Sequence, residues 1–115
     1  MEGSNDADVL EYIADDPTRE ILAEISQEPM SADELSERCD ISRATVYRRI
    51  DDLRSTGLVE ERMELDLDGH HRKTYTTQLE SVLMELEGGE YSVTVKTRED
   101  AADKITQMWQ TMRED

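Results

Sequence analysis

Two serine caps and a glycine stop constrain this chain more than any other feature. Ser31-Ala32-Asp33-Glu34 has the spacing of a capping box. The Ser31 hydroxyl takes the third backbone N–H, and Glu34 reaches back to the cap. Met30 and Leu35 stand where a hydrophobic staple would close over that helix start. The helix is short, ending near Cys39, and Asp40-Ile41 connects it to a second helix capped by Ser42. Ile41 and Val46 make another staple. Val46, Ile50 and Leu53, spaced by four and three, give the second helix one apolar face. Gly57 then supplies a left-handed stop. Two short helices joined by a tight turn are thus specified locally.

The flanks extend the pattern. Residues 1–8, MEGSNDAD, read as a disordered lead. Val9, Leu10 and Ile13 form a short helical stripe, and Asp16-Pro17 marks a restart. The residue before proline avoids the α region, while proline suits a helix start. Ile21, Leu22 and Ile25 continue the stripe in a helix from about 17 to 27, ended by Glu28-Pro29-Met30.

Beyond Gly57 the period changes. Val59, Met63, Leu65 and Leu67 fall on one strand face, with Glu61 breaking the pattern. Asp68-Gly69 signals a hairpin, and the return strand runs roughly from His70 to Thr76. A two-residue loop would pair Leu65 with Arg72 and set Tyr75 opposite Arg62. A three-residue loop, Asp68 to His70, would bring Tyr75 over Met63 and is preferred, because it gives Tyr75 an apolar partner. Residues 79–96 fit two periods. Leu79, Val82, Leu83 and Leu86 suit a helix, yet Val82, Met84 and Leu86 also alternate. A two-residue turn at Gly88-Gly89 would match Leu86 with Tyr91, Met84 with Val93, and Val82 with Val95, which favours a second hairpin. Thr97 caps a last helix, with Glu99 and Asp100 in its first turn. Its stripe is Ala101, Ile105, Met108, Trp109 and Met112.

Together these elements predict an α+β, mainly α fold: a winged helix-turn-helix with a β-hairpin wing, a second hairpin and a C-terminal dimerisation helix. Residues 9–78 would form the DNA-binding domain, and 79–115 a hairpin plus helix extension for dimerisation. In this architecture the second helix of the pair, 42–56, enters the major groove. Its outward side carries Ala44, Thr45 and Arg48, with Arg43, Tyr47 and Arg49 on the flanks and Ser42 at the cap. Arginine can fork onto a guanine edge, threonine can meet a base or a thymine methyl, and tyrosine can reach a phosphate. Between Ile41 and Ile50 there are three bases and no acid. The wing tip, His70-His71-Arg72-Lys73, is a second basic cluster suited to the backbone or the minor groove. Adjacent strand residues point to opposite faces, so His70 and His71 can hardly share one metal ion. Ile105, Met108, Trp109 and Met112 are the expected dimer seam; an intramolecular core is the other reading.

Charge narrows the class. The chain holds 29 acidic and 13 basic residues among 115, a net of −16. At molar salt the Debye length is about 3 Å, so such self-repulsion is screened. The pattern resembles proteins of salt-accumulating haloarchaea. The acids are scattered between apolar positions, as on a solvated surface. No glycine-rich phosphate loop, metal cluster or nucleophile–base pair is recognisable, which argues against an enzyme and calls for no cofactor. Cys39, the single cysteine, fits a reducing compartment and a small core position. No apolar run is long enough for a membrane span, and the acidic start is no signal peptide, so a cytoplasmic protein is expected, nucleoid-associated when on DNA.

The stretches DPTREILAEI and SADELSERCDISRATVYRRIDDLRSTGLVEER resemble archaeal winged-helix regulators of the ArsR type, over about residues 9–76. The resemblance implies a dimeric transcription regulator that binds double-stranded DNA, with Ser42 to Arg49 as recognition helix and His70 to Lys73 as wing tip. Metal-sensing members carry paired cysteines near the recognition region, and this chain has only Cys39. The sequence identifies no small-molecule effector. The competing reading is a protein-binding winged helix, either an adaptor in transcription machinery or an acidic mimic of DNA, since DNA repels an acidic partner.

Overall fold

The computed structural model describes the backbone of residues 2–98 and the side chains of residues 7–98. The expected seam Ile105, Met108, Trp109 and Met112 lies outside the described residues. The chain divides into two units, one through Thr77 and one from Gln78.

The first unit contains four helices and a hairpin: α1 (Glu2–Ile13), α2 (Asp16–Gln27), α3 (Ala32–Cys39), α4 (Arg43–Ser55), β1 (Val59–Leu65) and β2 (His71–Thr77). α1 takes in most of the segment expected as an unstructured lead. Asp15 caps α2, its carboxylate accepting from the Thr18 amide at 3.1 Å and the Thr18 hydroxyl at 2.7 Å. The capping box forms as the sequence predicts. Glu34 N donates to Ser31 Oγ at 3.2 Å and Ser31 N to Glu34 Oε1 at 3.0 Å. The turn into α4 bends at Asp40, which sits in the left-handed region (φ 54°).

α4 ends in a Schellman motif. Gly57 adopts φ 77°, its N–H reaches Arg54 O at 3.1 Å, and Leu58 N reaches Leu53 O at 2.9 Å. Leu53 and Leu58, the two residues joined by the second of these bonds, are both wholly buried. With Ile21, Ile25, Leu35, Val46 and Ile50, they make a core to which the helical stripes Ile21/Ile25 and Val46/Ile50/Leu53 contribute five side chains.

The wing register differs from both loops considered above. Observed pairs are Leu65↔His71, Met63↔Lys73 and Glu61↔Tyr75. One further bond, Asp66 N to His70 O at 2.8 Å, closes the loop over Leu67-Asp68-Gly69. Its length is three, but it sits one residue earlier than expected. Asp66 is the cause: its Oδ1 accepts from Asp68 N at 3.0 Å and His70 N at 2.8 Å, and Gly69 takes φ 84°. The type I turn followed by a left-handed residue is a standard three-residue hairpin loop. Tyr75 is therefore not buried over Met63, which stays 60% exposed. It is buried because β2 is central: Met30 bridges Tyr75 on the side away from β1, through bonds of 2.8 and 3.2 Å. Both faces of Thr74–Thr77 are covered, and Thr77 Oγ1 donates to Leu22 O at 3.0 Å.

In the second unit, β3 (Leu79–Glu87) and β4 (Glu90–Thr97) form an antiparallel hairpin. The pairs Leu86↔Tyr91, Met84↔Val93 and Val82↔Val95 are those predicted from the glycine turn. Gly88 and Gly89 have φ of 60° and 80°, the two positive values a type I′ turn requires. These elements make a winged helix-turn-helix with a second hairpin. Among the described residues, no helix is long and apolar enough to cross a membrane.

Candidate nucleic-acid interface

α4 is amphipathic in the sense the caps predict. Val46, Ile50 and Leu53 are at most 1% exposed, whereas Ser42, Arg43, Ala44, Tyr47 and Arg48 face solvent. Thr45 is half-buried because it closes the cap: its amide donates to Ser42 Oγ at 3.1 Å, and Ser42 Oγ lies 2.9 Å from Thr45 Oγ1. These two hydroxyls hold the first turn. The protruding ridge is Arg43, Ala44, Tyr47 and Arg48.

The cations of this face differ in what holds them. Arg48 enters no ion pair among the described residues. Arg43 Nε lies 2.8 Å from Asp33 Oδ1 at the start of α3, with both side chains more than 60% exposed. An exposed pair of that kind contributes about 0–1 kcal/mol, so it yields readily to a stronger partner. Arg49 is different. Its Nε is buried and 3.0 Å from Asp15 Oδ2, at an angle outside hydrogen-bonding range. The Thr18 hydroxyl first, then its amide and Arg49, hold the Asp15 carboxyl below its ordinary pKa, against partial burial. Arg49 thus ties α4 to the cap of α2 rather than standing on the outer ridge.

The wing supplies the second part. His70 and His71 are exposed at its tip, and Arg72 and Lys73 follow on β2. Arg72 Nη1 is 3.0 Å from Glu34 Oε1 and its Nη2 is 3.8 Å from Glu64 Oε2; Lys73 Nζ is 3.8 Å from Glu61 Oε1. The Ser31 amide first, then its hydroxyl and Arg72, keep the Glu34 carboxyl below its usual range. A cleft between α3, α4 and the wing brings together Ser31, Asp33, Tyr47, Arg72, Lys73 and Tyr75. α4 and the wing therefore meet at one surface, lined by Tyr47 and Arg72.

That surface is not a clean basic stripe. Asp33, Glu34, Glu61 and Glu64 are interleaved with its cations. Sequence reading did not pair these acids with the cations, because they come from α3 and β1 and approach the cations only in the fold. At the tip, Asp66, Asp68 and His70 place possible metal-ligand atoms within 4.8 Å of one another. Asp66 Oδ1 is engaged by two backbone N–H groups of the loop, so this trio serves the turn. Cys39 is half-buried against α2, and burial together with Glu20 and Glu24 raises its thiol pKa, which disfavours a reactive thiolate.

Comparison with known proteins agrees with this geometry. A family model described as a helix-turn-helix domain matches residues 13–62. The crystal structure of NolR from Sinorhizobium fredii is similar in fold, with a TM-score of 0.56 and 21% identity, over 66% of this chain and 71% of that one. No curated protein matches the chain.

Proposed function

We propose that this chain is a sequence-specific regulator of transcription that binds double-stranded DNA as a homodimer. α4 would lie in the major groove and the wing on the backbone or the minor groove. One observation carries the reading. Within a helix-turn-helix match, the second helix buries its aliphatic face and leaves Arg43, Ala44, Tyr47 and Arg48 exposed. Ala44 lets the helix backbone approach the groove floor, Arg48 is free to fork onto a guanine, and Tyr47 with Arg72 can take phosphates. The resemblance to ArsR-type archaeal regulators supports the dimer, with Ile105, Met108, Trp109 and Met112 in its seam and half-sites about one helical turn apart. The net charge of −16 supports a salt-rich cytoplasm, where screening lets an acidic protein approach DNA.

The test is occupancy across the host genome followed by binding to the motif found. Arg48→Ala should lose about 1–3 kcal/mol at the specific site, roughly 5- to 150-fold, with thermal stability unchanged. Unchanged affinity would remove Arg48 from the readout. The acids interleaved in the surface favour a second reading, a protein-binding adaptor or DNA mimic. An adaptor would show no discrete genomic motif and would be indifferent to Arg48→Ala.

A further inference from the structure

The cleft between α3, α4 and the wing is lined largely by hydrogen-bond donors. Ala32 and Asp33 open α3, and their backbone N–H groups meet no acceptor among the described residues. Arg72 and Lys73 line the cleft too, whereas the carboxylates that meet them, on Glu34, Glu61 and Glu64, do not. Asp33 is the acid in the lining, and its Oδ1 lies 2.8 Å from Arg43 Nε. Tyr75 completes the set. It is 3% exposed and lines the cleft, yet its hydroxyl has no hydrogen-bond partner among the described residues. Burial first, then the Glu61 carboxylate, raises its pKa, so it stays a protonated donor. A nearly buried hydroxyl left unpaired is unfavourable, and an acceptor entering the cleft would satisfy it.

We infer that this cleft binds a small aromatic carboxylate, and that this ligand and DNA exclude one another. The site rests on the cleft alone; the exclusion rests on the DNA reading above. Convergent donors call for an anion, and the N-terminal end of a helix favours one. Arg72 offers a planar fork, which matches a carboxylate. Volume sets the size. The cleft holds about 220 Å³, room for about seven waters, so the ligand is well below drug size. The rest of the lining sets the shape. Ala32 and the rings of Tyr47 and Tyr75 give apolar surface that a flat ring would cover and a bare oxyanion would leave wet. Exclusion follows from shared groups. Tyr47 and Arg72 are the side chains proposed above for phosphates, and a bound carboxylate would occupy them and repel a phosphate.

Calorimetric titration of the full chain with benzoate, in potassium chloride held at molar strength, tests the site. The native chain should bind one benzoate, with the Ala32 and Asp33 amides shifting in nuclear magnetic resonance spectra. Tyr75→Phe, which removes only the hydroxyl, should bind about tenfold more weakly, and Arg72→Gln should abolish binding. Arg62→Gln, at a cation outside the cleft lining, should bind as the native chain does. Circular dichroism checks each fold; should Tyr75→Phe not fold, Arg72→Gln, on a side chain 43% exposed, carries the test. Benzamide, neutral and of the same shape, should not bind. Equal affinity for benzamide or for inorganic phosphate, no binding by the native chain, or full affinity in the folded variants overturns the site. A second titration, on chain already bound to operator DNA, reads the exclusion. Benzoate should release the native chain, and Tyr75→Phe should need about tenfold more. Benzoate bound with the operator retained overturns the exclusion alone. A chain that takes benzoate but no DNA overturns the DNA reading and leaves the site standing.

Discussion

Replacing Glu34 by glutamine isolates the electrostatics of the proposed interface. The amide keeps an oxygen for the Ser31 N–H, so the capping box survives. What disappears is the negative charge 3.0 Å from Arg72 Nη1. A phosphate on the far side of that guanidinium would stand about 6 Å from the Glu34 carboxylate. Two like charges at that distance repel by about 0.7 kcal/mol in water, and several-fold more at a drier surface. With screening near 0.1 M salt, a gain of about 0.7–1.4 kcal/mol follows, a 3- to 10-fold tighter complex. Releasing Arg72 to one more phosphate should also steepen the dependence of log K on log salt by about 0.9. Glu64 lies 3.8 Å from the same guanidinium, so Glu34→Gln with Glu64→Gln should exceed the single change. Fluorescence anisotropy of a labelled operator across a potassium chloride series reads both quantities. Unchanged or weaker binding with an unchanged slope would refute the idea that Arg72 faces a phosphate and that Glu34 restrains it.

Three further predictions concern the fold. Gly57→Ala adds a methyl that meets nothing within 4 Å but forces alanine to φ 77°, so about 1–2 kcal/mol and several degrees of Tm should be lost in a thermal melt. Thr74 is wholly buried and its hydroxyl has no hydrogen-bond partner among the described residues, so Thr74→Val should gain about 1 kcal/mol in denaturant titration; a loss would mean the hydroxyl is satisfied. Asp15 and Glu34 have folded pKa values below their ordinary 3.8 and 4.5. Their contribution is therefore full above about pH 5 and is lost as pH falls through the lowered folded values. Asp15→Asn should flatten the acid limb of a stability–pH curve, and an unaltered limb would contradict the lowered value.

Most of the local architecture was legible in the sequence. The Ser31 capping box, the Ser42 cap, the Gly57 stop and the Gly88-Gly89 turn each involve groups a few residues apart, so geometry is set by spacing alone. The second hairpin's register followed, because one tight turn determines every pair behind it. The helical part of the aliphatic core followed too, since only one face of each helix could bury, whereas Leu58, just past the Gly57 stop, was not assigned to it.

Tertiary structure decided what spacing could not. The wing register depended on whether Asp66 or Asp68 opened the loop, a choice made by Asp66 accepting two backbone N–H groups. Tyr75 found its cover through a bridge to Met30, far upstream, rather than across the hairpin. The partners of the interface cations were the least visible of all. Arg43 chose Asp33, Arg49 chose Asp15 and Arg72 chose Glu34 from among 29 acids, because chain folding placed those carboxylates within reach. Ion pairing over long separations carries no periodic signature; it is settled by packing of the aliphatic faces, which moves the charges as passengers.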